Sequence, residues 1–263
     1  MTSMNDLILS KDNAKVKQVG KLKQKKYRDQ YRRSLVEGSR AIKQLIDHQI
    51  LPSMILFDED AKNSSKELSA LYDQHSAISY IVRSSIFANI SDTVNSQGVL
   101  AVFEQPDFDL QKILSQESCR AILLDKIQDP GNLGTIIRTA DSAGFDLILY
   151  TRGTTDIFSE KVNRSAMGAN FYLPILPLAI EDLPMLQENG LRIISTMLDE
   201  KATDYRRIDY GKKFVLVFGN EANGIRPEIA ECSDHKAYIP IYGKAESLNV
   251  AVAAGIVIYR SLE

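Results

Sequence analysis

Three short stretches carry residue types that could bind a ligand or do chemistry. The first is DPGNLGTIIR, Asp129 to Arg138. The second is FGNEANG, Phe218 to Gly224, and the third is IPIYGKAESLN, Ile239 to Asn249. Each follows an apolar run and brings amides, a carboxylate, a hydroxyl or a guanidinium to a turn. Nucleotide-binding loops are the first chemistry to test. A phosphate-cradling loop ends in Gly-Lys-Ser/Thr, and Gly134 is followed by Thr135, Ile136 and Ile137. A dinucleotide fingerprint needs GxGxxG, and Gly131 and Gly134 have no third glycine at the right offset. The chemistry is of another kind.

Every one of these residues also has a plainer reading. Pro130 and Gly131 make a turn, and Asn132 is expected to cap the helix that follows. At roughly 100° per residue, Ile136, Ile137, Ala140, Ala143 and Gly144 share one apolar face. Arg138 falls opposite them, toward solvent, a ligand or a partner chain, or simply toward Asp141 as an i+3 ion pair. Gly219 would let a ligand approach the backbone, and Glu221 could be a turn carboxylate. Ser247 could cap the last helix, and AVAAG could mark close helix packing. Three such turns on one predicted sheet edge weaken the plain readings taken together.

The elements that position these turns follow from hydrophobic pattern. Residues 11–31 read as one basic helix. Strands at 34–38, 53–59, 78–83 and 98–104 alternate with helices at 39–47, 64–72 and 84–92, which argues a small α/β domain. Residues 105–118 read as a polar linker with about one helical turn. A second alternation has strands at 121–125, 146–150, 172–177, 191–197, 214–219 and 237–241, and a final helix from Ser247 to Tyr259. Short, wholly apolar strands imply a mostly parallel sheet covered on both faces. Ligands bind such sheets beyond the strands' carboxyl ends, where the three turns fall. The domains are therefore set at 1–104 and 119–263, with 105–118 between them.

The chain has 263 residues, 44% hydrophobic and 25% charged, which suits one large or two medium domains. No apolar run is long enough for a transmembrane helix, and the first fifteen residues lack a secretory leader's apolar core. Two cysteines and three scattered histidines support neither a disulfide framework nor a zinc site, and a reducing cytoplasm fits. Net charge is −2, but residues 1–103 carry 15 Lys+Arg against 11 Asp+Glu. Within them, residues 11–33 hold ten basic side chains, two acids, Tyr27 and Tyr31. Such a segment can grip a phosphate backbone and stack on unpaired bases, or it can be a solvated helix face.

The three stretches together resemble the signature motifs of the SpoU (TrmH-type) RNA ribose 2′-O-methyltransferases, of the wider SPOUT class. The matches are Asn132-x-x-Gly-x-x-x-Arg138, then Phe218-Gly219-x-Glu221-x-x-Gly224, then Ile239-Pro240 with Ser247-Leu248-Asn249-Val250. The N-terminal part is similar to the family's fused substrate-binding domain, of ribosomal-protein-like α/β fold. The resemblance implies a trefoil-knotted catalytic domain that works as a homodimer and binds S-adenosylmethionine. It implies cofactor contacts from Thr196, Gly219, Ile239 and Leu248. It implies a catalytic set of Arg138, Asn132, Glu221, Ser247 and Asn249, with no metal. The expected reaction is methylation of a ribose 2′-hydroxyl in structured RNA, ribosomal RNA and a large-subunit guanosine being preferred. Two rivals stand beside it. One is a non-catalytic RNA-binding or ribosome-assembly protein on the same fold, which loss of the polar site residues would favour. The other is a methyltransferase for transfer RNA.

Overall fold

The computed structural model of the chain describes residues 7–92 and 96–263. Residues 1–6, part of the segment read above for a leader, lie outside the described residues. The chain forms two compact units. One comprises residues up to Pro106 with Phe158–Tyr172; the other comprises Asp107–Ile157 with Leu173–Glu263.

The first unit contains β1 (Leu7–Ile8), α1 (Ala14–Leu22), α2 (Lys25–Tyr31), β2 (Arg33–Glu37) and α3 (Ser39–Asp47). It continues with β3 (Met54–Asp58), α4 (Glu59–Ser64), α5 (Lys66–Gln74), β4 (Ser79–Val82), α6 (Ser84–Ile90) and β5 (Val99–Glu104). The strands make one mixed sheet in the order β1-β4-β3-β5-β2, with β5 antiparallel to both neighbours. Period-two alternation separates two cores. Met54 and Leu56 of β3 face α1 and α6, while Ile55 and Phe57 face α3 and α5.

The basic helix expected over 11–31 is two helices. Arg28 is buried, and its Nη1 donates to the carbonyls of Leu22 and Lys23, both at 2.7 Å. Those are carbonyls the ending helix leaves without intrahelical donors. The break needs no proline or glycine, so no sequence signal marks it.

The second unit contains α7 (Leu110–Leu114), β6 (Cys119–Leu124), α8 (Pro130–Ser142) and β7 (Leu147–Tyr150). The chain next forms α9 (Glu160–Ser165) in the first unit, then returns with β8 (Ile175–Pro177), α10 (Leu183–Glu188), β9 (Arg192–Thr196) and β10 (Thr203–Asp204). It ends with β11 (Lys213–Phe218), α11 (Pro227–Glu231), β12 (His235–Tyr238) and α12 (Val250–Arg260). Its seven strands run in the order β10-β12-β9-β11-β6-β7-β8, parallel at every pairing. β11 sits between β6 and β9, with Phe218 opposite Leu124, so the turns after β6 and β11 are neighbours. α12 packs on α8 and β11, burying Ala251, Ala254, Val257 and Ile258.

The sequence reading assigned 119–263 to one domain and began a strand at Tyr172. The structure differs at both points. Residues 158–172 belong to the first unit, and the strand starts at Ile175. Phe171 packs in that unit's core, its ring 5.6 Å from Phe103 and 5.4 Å from Phe158. Asn163 Nδ2 donates to the Leu35 carbonyl at 2.7 Å. Pattern shows that such residues are buried, but not in which core.

Candidate active site

The turn after β6 is built by Asp129. Its Oδ1 accepts from the Asn132 N–H at 2.8 Å, and Pro130 takes the first helical position, where its missing N–H costs nothing. Asp129, not Asn132, is therefore the cap of α8. At the third motif the cap is Asn249 rather than Ser247. Its Oδ1 accepts from Ala251 N at 2.9 Å and Val252 N at 3.3 Å.

These two corrections leave the Asn132 side chain available. The Asn249 oxygen is committed to the helix, so its Nδ2 donates, and it does so to Asn132 Oδ1 at 3.0 Å. Asn132 Nδ2 then donates to Glu221 Oε1 at 3.0 Å. The carboxylate also accepts longer bonds, 3.4 Å each, from the N–H groups of Gln128 and Asp129. One residue from each motif thus enters a single hydrogen-bonded run. Partial burial pushes the Glu221 carboxyl upward, but the Asn132 amide and backbone N–H groups outweigh it and hold it below the usual range.

The remaining expected residues divide. Arg138 is exposed on α8, and its guanidinium has no hydrogen-bond or ion-pair partner among the described residues, Asp141 included. Thr196, Ile239, Ser247 and Leu248 line one cavity of about 150 Å³, with Ala237 and Ala253 among its other walls. The β12 ladder ends at Tyr238, so the backbone polar groups of Ile239–Ile241 lie past it, beside this cavity. Gly219 is not among its walls. A Cβ there would lie 2.3 Å from the Gly224 carbonyl carbon and 2.4 Å from the Ile225 nitrogen. Glycine is needed for the loop to fold back on itself, since Asn220 and Gly224 exchange backbone hydrogen bonds of 3.0 and 2.9 Å.

Two further features were not found by sequence reasoning. Asn220, buried, accepts from the N–H groups of Ala222 and Asn223 and donates to the Lys126 carbonyl at 2.9 Å. The Asn-x-x-x-Gly spacing of a side-chain-closed turn was the available signal. Asp125, fully buried at the end of β6, accepts from Thr151 Oγ1 at 2.8 Å, from Arg226 Nη2 at 2.6 Å and from the Arg226 backbone N–H at 3.0 Å. Burial works upward on its carboxyl, and the Arg226 bonds win, leaving it below the ordinary value of 3.8. This pair ties the second turn to the first, across 101 residues that no local pattern bridges.

Comparison with known proteins bears on this geometry. Residues 120–259 match the family model described as the SpoU rRNA Methylase family, and residues 13–101 match an MRM3-like substrate binding domain. The chain is 35% identical, over 96% of its length and 97% of the relative's, to a Bacillus subtilis protein named 23S rRNA (guanosine(2553)-2′-O)-methyltransferase RlmP. Among solved structures, an AdoMet-bound rRNA methyltransferase from Sinorhizobium meliloti superposes with a TM-score of 0.84 at 33% identity, covering 97% of this chain and 96% of that one. The SpoU methyltransferase AviRb from Streptomyces viridochromogenes, in complex with AdoMet, gives 0.81 at 27% identity, over 95% and 98%. With the family model spanning more than half its length and the motifs drawn into one site, the chain belongs to the SpoU rRNA methylase family.

Proposed function

We propose that this chain transfers a methyl group from S-adenosylmethionine to a ribose 2′-hydroxyl of ribosomal RNA, with a large-subunit guanosine as the target. The observation that carries the reading is the run Asn249–Asn132–Glu221, which draws all three motifs to adjoining turns. The 35% identical relative named for a 23S rRNA guanosine supports the substrate and base.

The cavity fits part of the cofactor. Small-ligand sites usually measure about 300–1,000 Å³, and this one, at about 150 Å³, takes a fragment. Its walls are apolar, from Ile239, Leu248, Ala237 and Ala253, with unladdered backbone beside them. That chemistry suits a flat adenine, held by hydrophobic walls and backbone donors and acceptors. Thr196 Oγ1 donates to the Val217 carbonyl at 2.7 Å and so holds the cavity floor to β11.

When bound, S-adenosylmethionine supplies a methyl group on a sulfonium. The ribose oxygen gains the methyl as the carbon–sulfur bond breaks, and the hydroxyl proton must leave. Arg138 is exposed and cationic, set to grip a phosphate and stabilise the developing alkoxide. It is no base, because guanidinium stays protonated. Glu221 is not placed to act as the base either, since its oxygens already accept from Asn132, Gln128 and Asp129. Its role is to position Asn132 and the first turn. The proton passes to a phosphate oxygen of the substrate or to water.

The working form is a homodimer through the second unit. α12 is apolar on two faces, and Val252 and Tyr259 are 53% and 51% exposed. With Ile256 between them they form an i, i+4, i+7 stripe that a second copy covers.

The test is transfer of labelled methyl from S-adenosylmethionine to ribosomal RNA, with a digest locating the label. Label on a ribose of 23S RNA is expected. No transfer to any ribosomal RNA, with cofactor binding intact, would leave the non-catalytic assembly protein or the transfer-RNA enzyme in its place.

A further inference from the structure

The basic segment 11–33 is not uniformly available to RNA. Among the described residues, five of its ten cationic side chains are engaged within the protein. Lys17 pairs with Asp12 at 2.8 Å, and Arg33 with Glu104 at 3.2 Å. Lys23 donates to the Ser91 carbonyl, Arg28 to those of Leu22 and Lys23, and Arg32 to that of Pro106. The other five are lysines: Lys11, Lys15, Lys21, Lys25 and Lys26. Three of these stand over tyrosine rings. Lys15 Nζ is 4.2 Å from the Tyr80 centroid, and Lys26 and Lys21 are 4.8 and 5.7 Å from that of Tyr27.

Tyr27 in turn stacks on Tyr31, with centroids 6.0 Å apart and planes within 10°. The two rings meet because they are four residues apart on α2. Helical side chains lean toward the helix N-terminus, so Tyr31 leans back over Tyr27. Beyond Tyr31 there is no further helical turn, because Arg32 adopts a left-handed conformation (φ +52°) and the chain turns into β2. Tyr31 keeps 40% of its surface exposed, and only Asp29 supplies negative charge on α2. An exposed aromatic face at the end of a lysine–tyrosine–tyrosine column, amid uncompensated lysines, suits a flat, electron-poor ring attached to phosphates.

We infer that Tyr31 is a stacking platform for an unpaired base of the RNA, backed by Tyr27, with Lys21 and Lys26 holding the adjacent phosphates. This rests on the reading of the chain as an RNA-modifying protein, and it narrows the substrate to one with a single-stranded segment beside the target. A duplex keeps its bases stacked inward and offers the platform only its backbone.

Binding without cofactor separates this inference from the methylation reading. The full-length protein is titrated with labelled oligouridine and with a mixed-sequence RNA duplex at several salt concentrations. Tyr31→Leu is expected to weaken oligouridine binding about tenfold and leave the duplex within about twofold. Tyr31→Phe keeps the ring and should bind as wild type. Lys21→Gln with Lys26→Gln should lower the single-strand salt slope by about 1.4, two contacts at roughly 0.7 each, whereas Tyr31→Leu leaves the slope alone. Equal loss of both RNAs in Tyr31→Leu, or no loss of oligouridine, overturns the platform. Either result stands whether or not the protein methylates ribose, and melting curves of the variants show that they are folded.

Discussion

At the scale of single residues, spacing was a better guide than local structure. The offset from Asn132 to Arg138 was legible at once, but the capping role given to Asn132 belongs to Asp129. Proline at the first helical position moves the cap back, and only then can the Asn132 amide reach Glu221. Arg138→Ala should lower single-turnover methylation by about 10²-fold or more while leaving the melting temperature nearly unchanged. Lysine should rescue poorly, for want of the planar two-pronged grip. Turnover within about threefold of wild type would return Arg138 to the ordinary surface charges. Gly219 was legible as necessary, but for a different reason. Its hydrogen faces the backbone of Gly224 and Ile225, not the cavity. Gly219→Ala should therefore cost stability of about 1–3 kcal/mol by prying the loop open, seen in a denaturant titration. Weaker cofactor binding with no loss of stability would point to crowding of the pocket instead.

At the scale of elements, the strands of the second unit were read nearly in place, because fully apolar runs have few other fates, except β10, whose Thr203–Asp204 has no apolar residue and was missed. What pins their ends was invisible. Asp125 and Arg226 are 101 residues apart, and only β6 lying beside β11 makes them neighbours. Asp125→Asn should destabilise the fold by about 2–4 kcal/mol, since Arg226 is left largely buried without its counter-charge. The folded carboxyl lies below its ordinary value of 3.8. Its contribution is thus complete above about pH 5 and is lost as pH falls through the folded value. Chemical denaturation of the two proteins across pH should show the gap narrowing in acid and constant at neutrality; a gap that widened in acid would contradict the pairing. α12 makes a second element-scale prediction. Val252→Asp with Tyr259→Asp should convert a dimer to a monomer in sedimentation, because each carboxylate would be buried unpaired. A wild-type protein that sediments as a monomer at micromolar concentration would remove the second copy from the proposal.

At the scale of the whole molecule, composition left one or two domains open and the hydrophobic pattern offered two alternations split at 105–118, but the excursion of residues 158–172 was not legible. Removing residues 1–104 would strip Phe158, Val162, Asn163 and Phe171 of the core in which they are packed or hydrogen-bonded. The fragment 105–263 should therefore bind a hydrophobic dye and aggregate. Replacing Phe158 and Phe171 with serine should cure this and leave a fragment that still binds S-adenosylmethionine by calorimetry. A plain truncation that stays monodisperse would show that the segment can do without its partners. The same excursion has a consequence for synthesis. The chain leaves the first unit after Pro106 and supplies its last buried aromatic only at Phe171. Synthesis adds about 5–20 residues per second, so those intervening residues take roughly 3–13 seconds to make. For that interval the nascent N-terminal unit carries an unfilled seat against Phe103, with β6, α8 and β7 already made behind it. Through that window the newborn chain leaves apolar surface uncovered, until its own later residues close it.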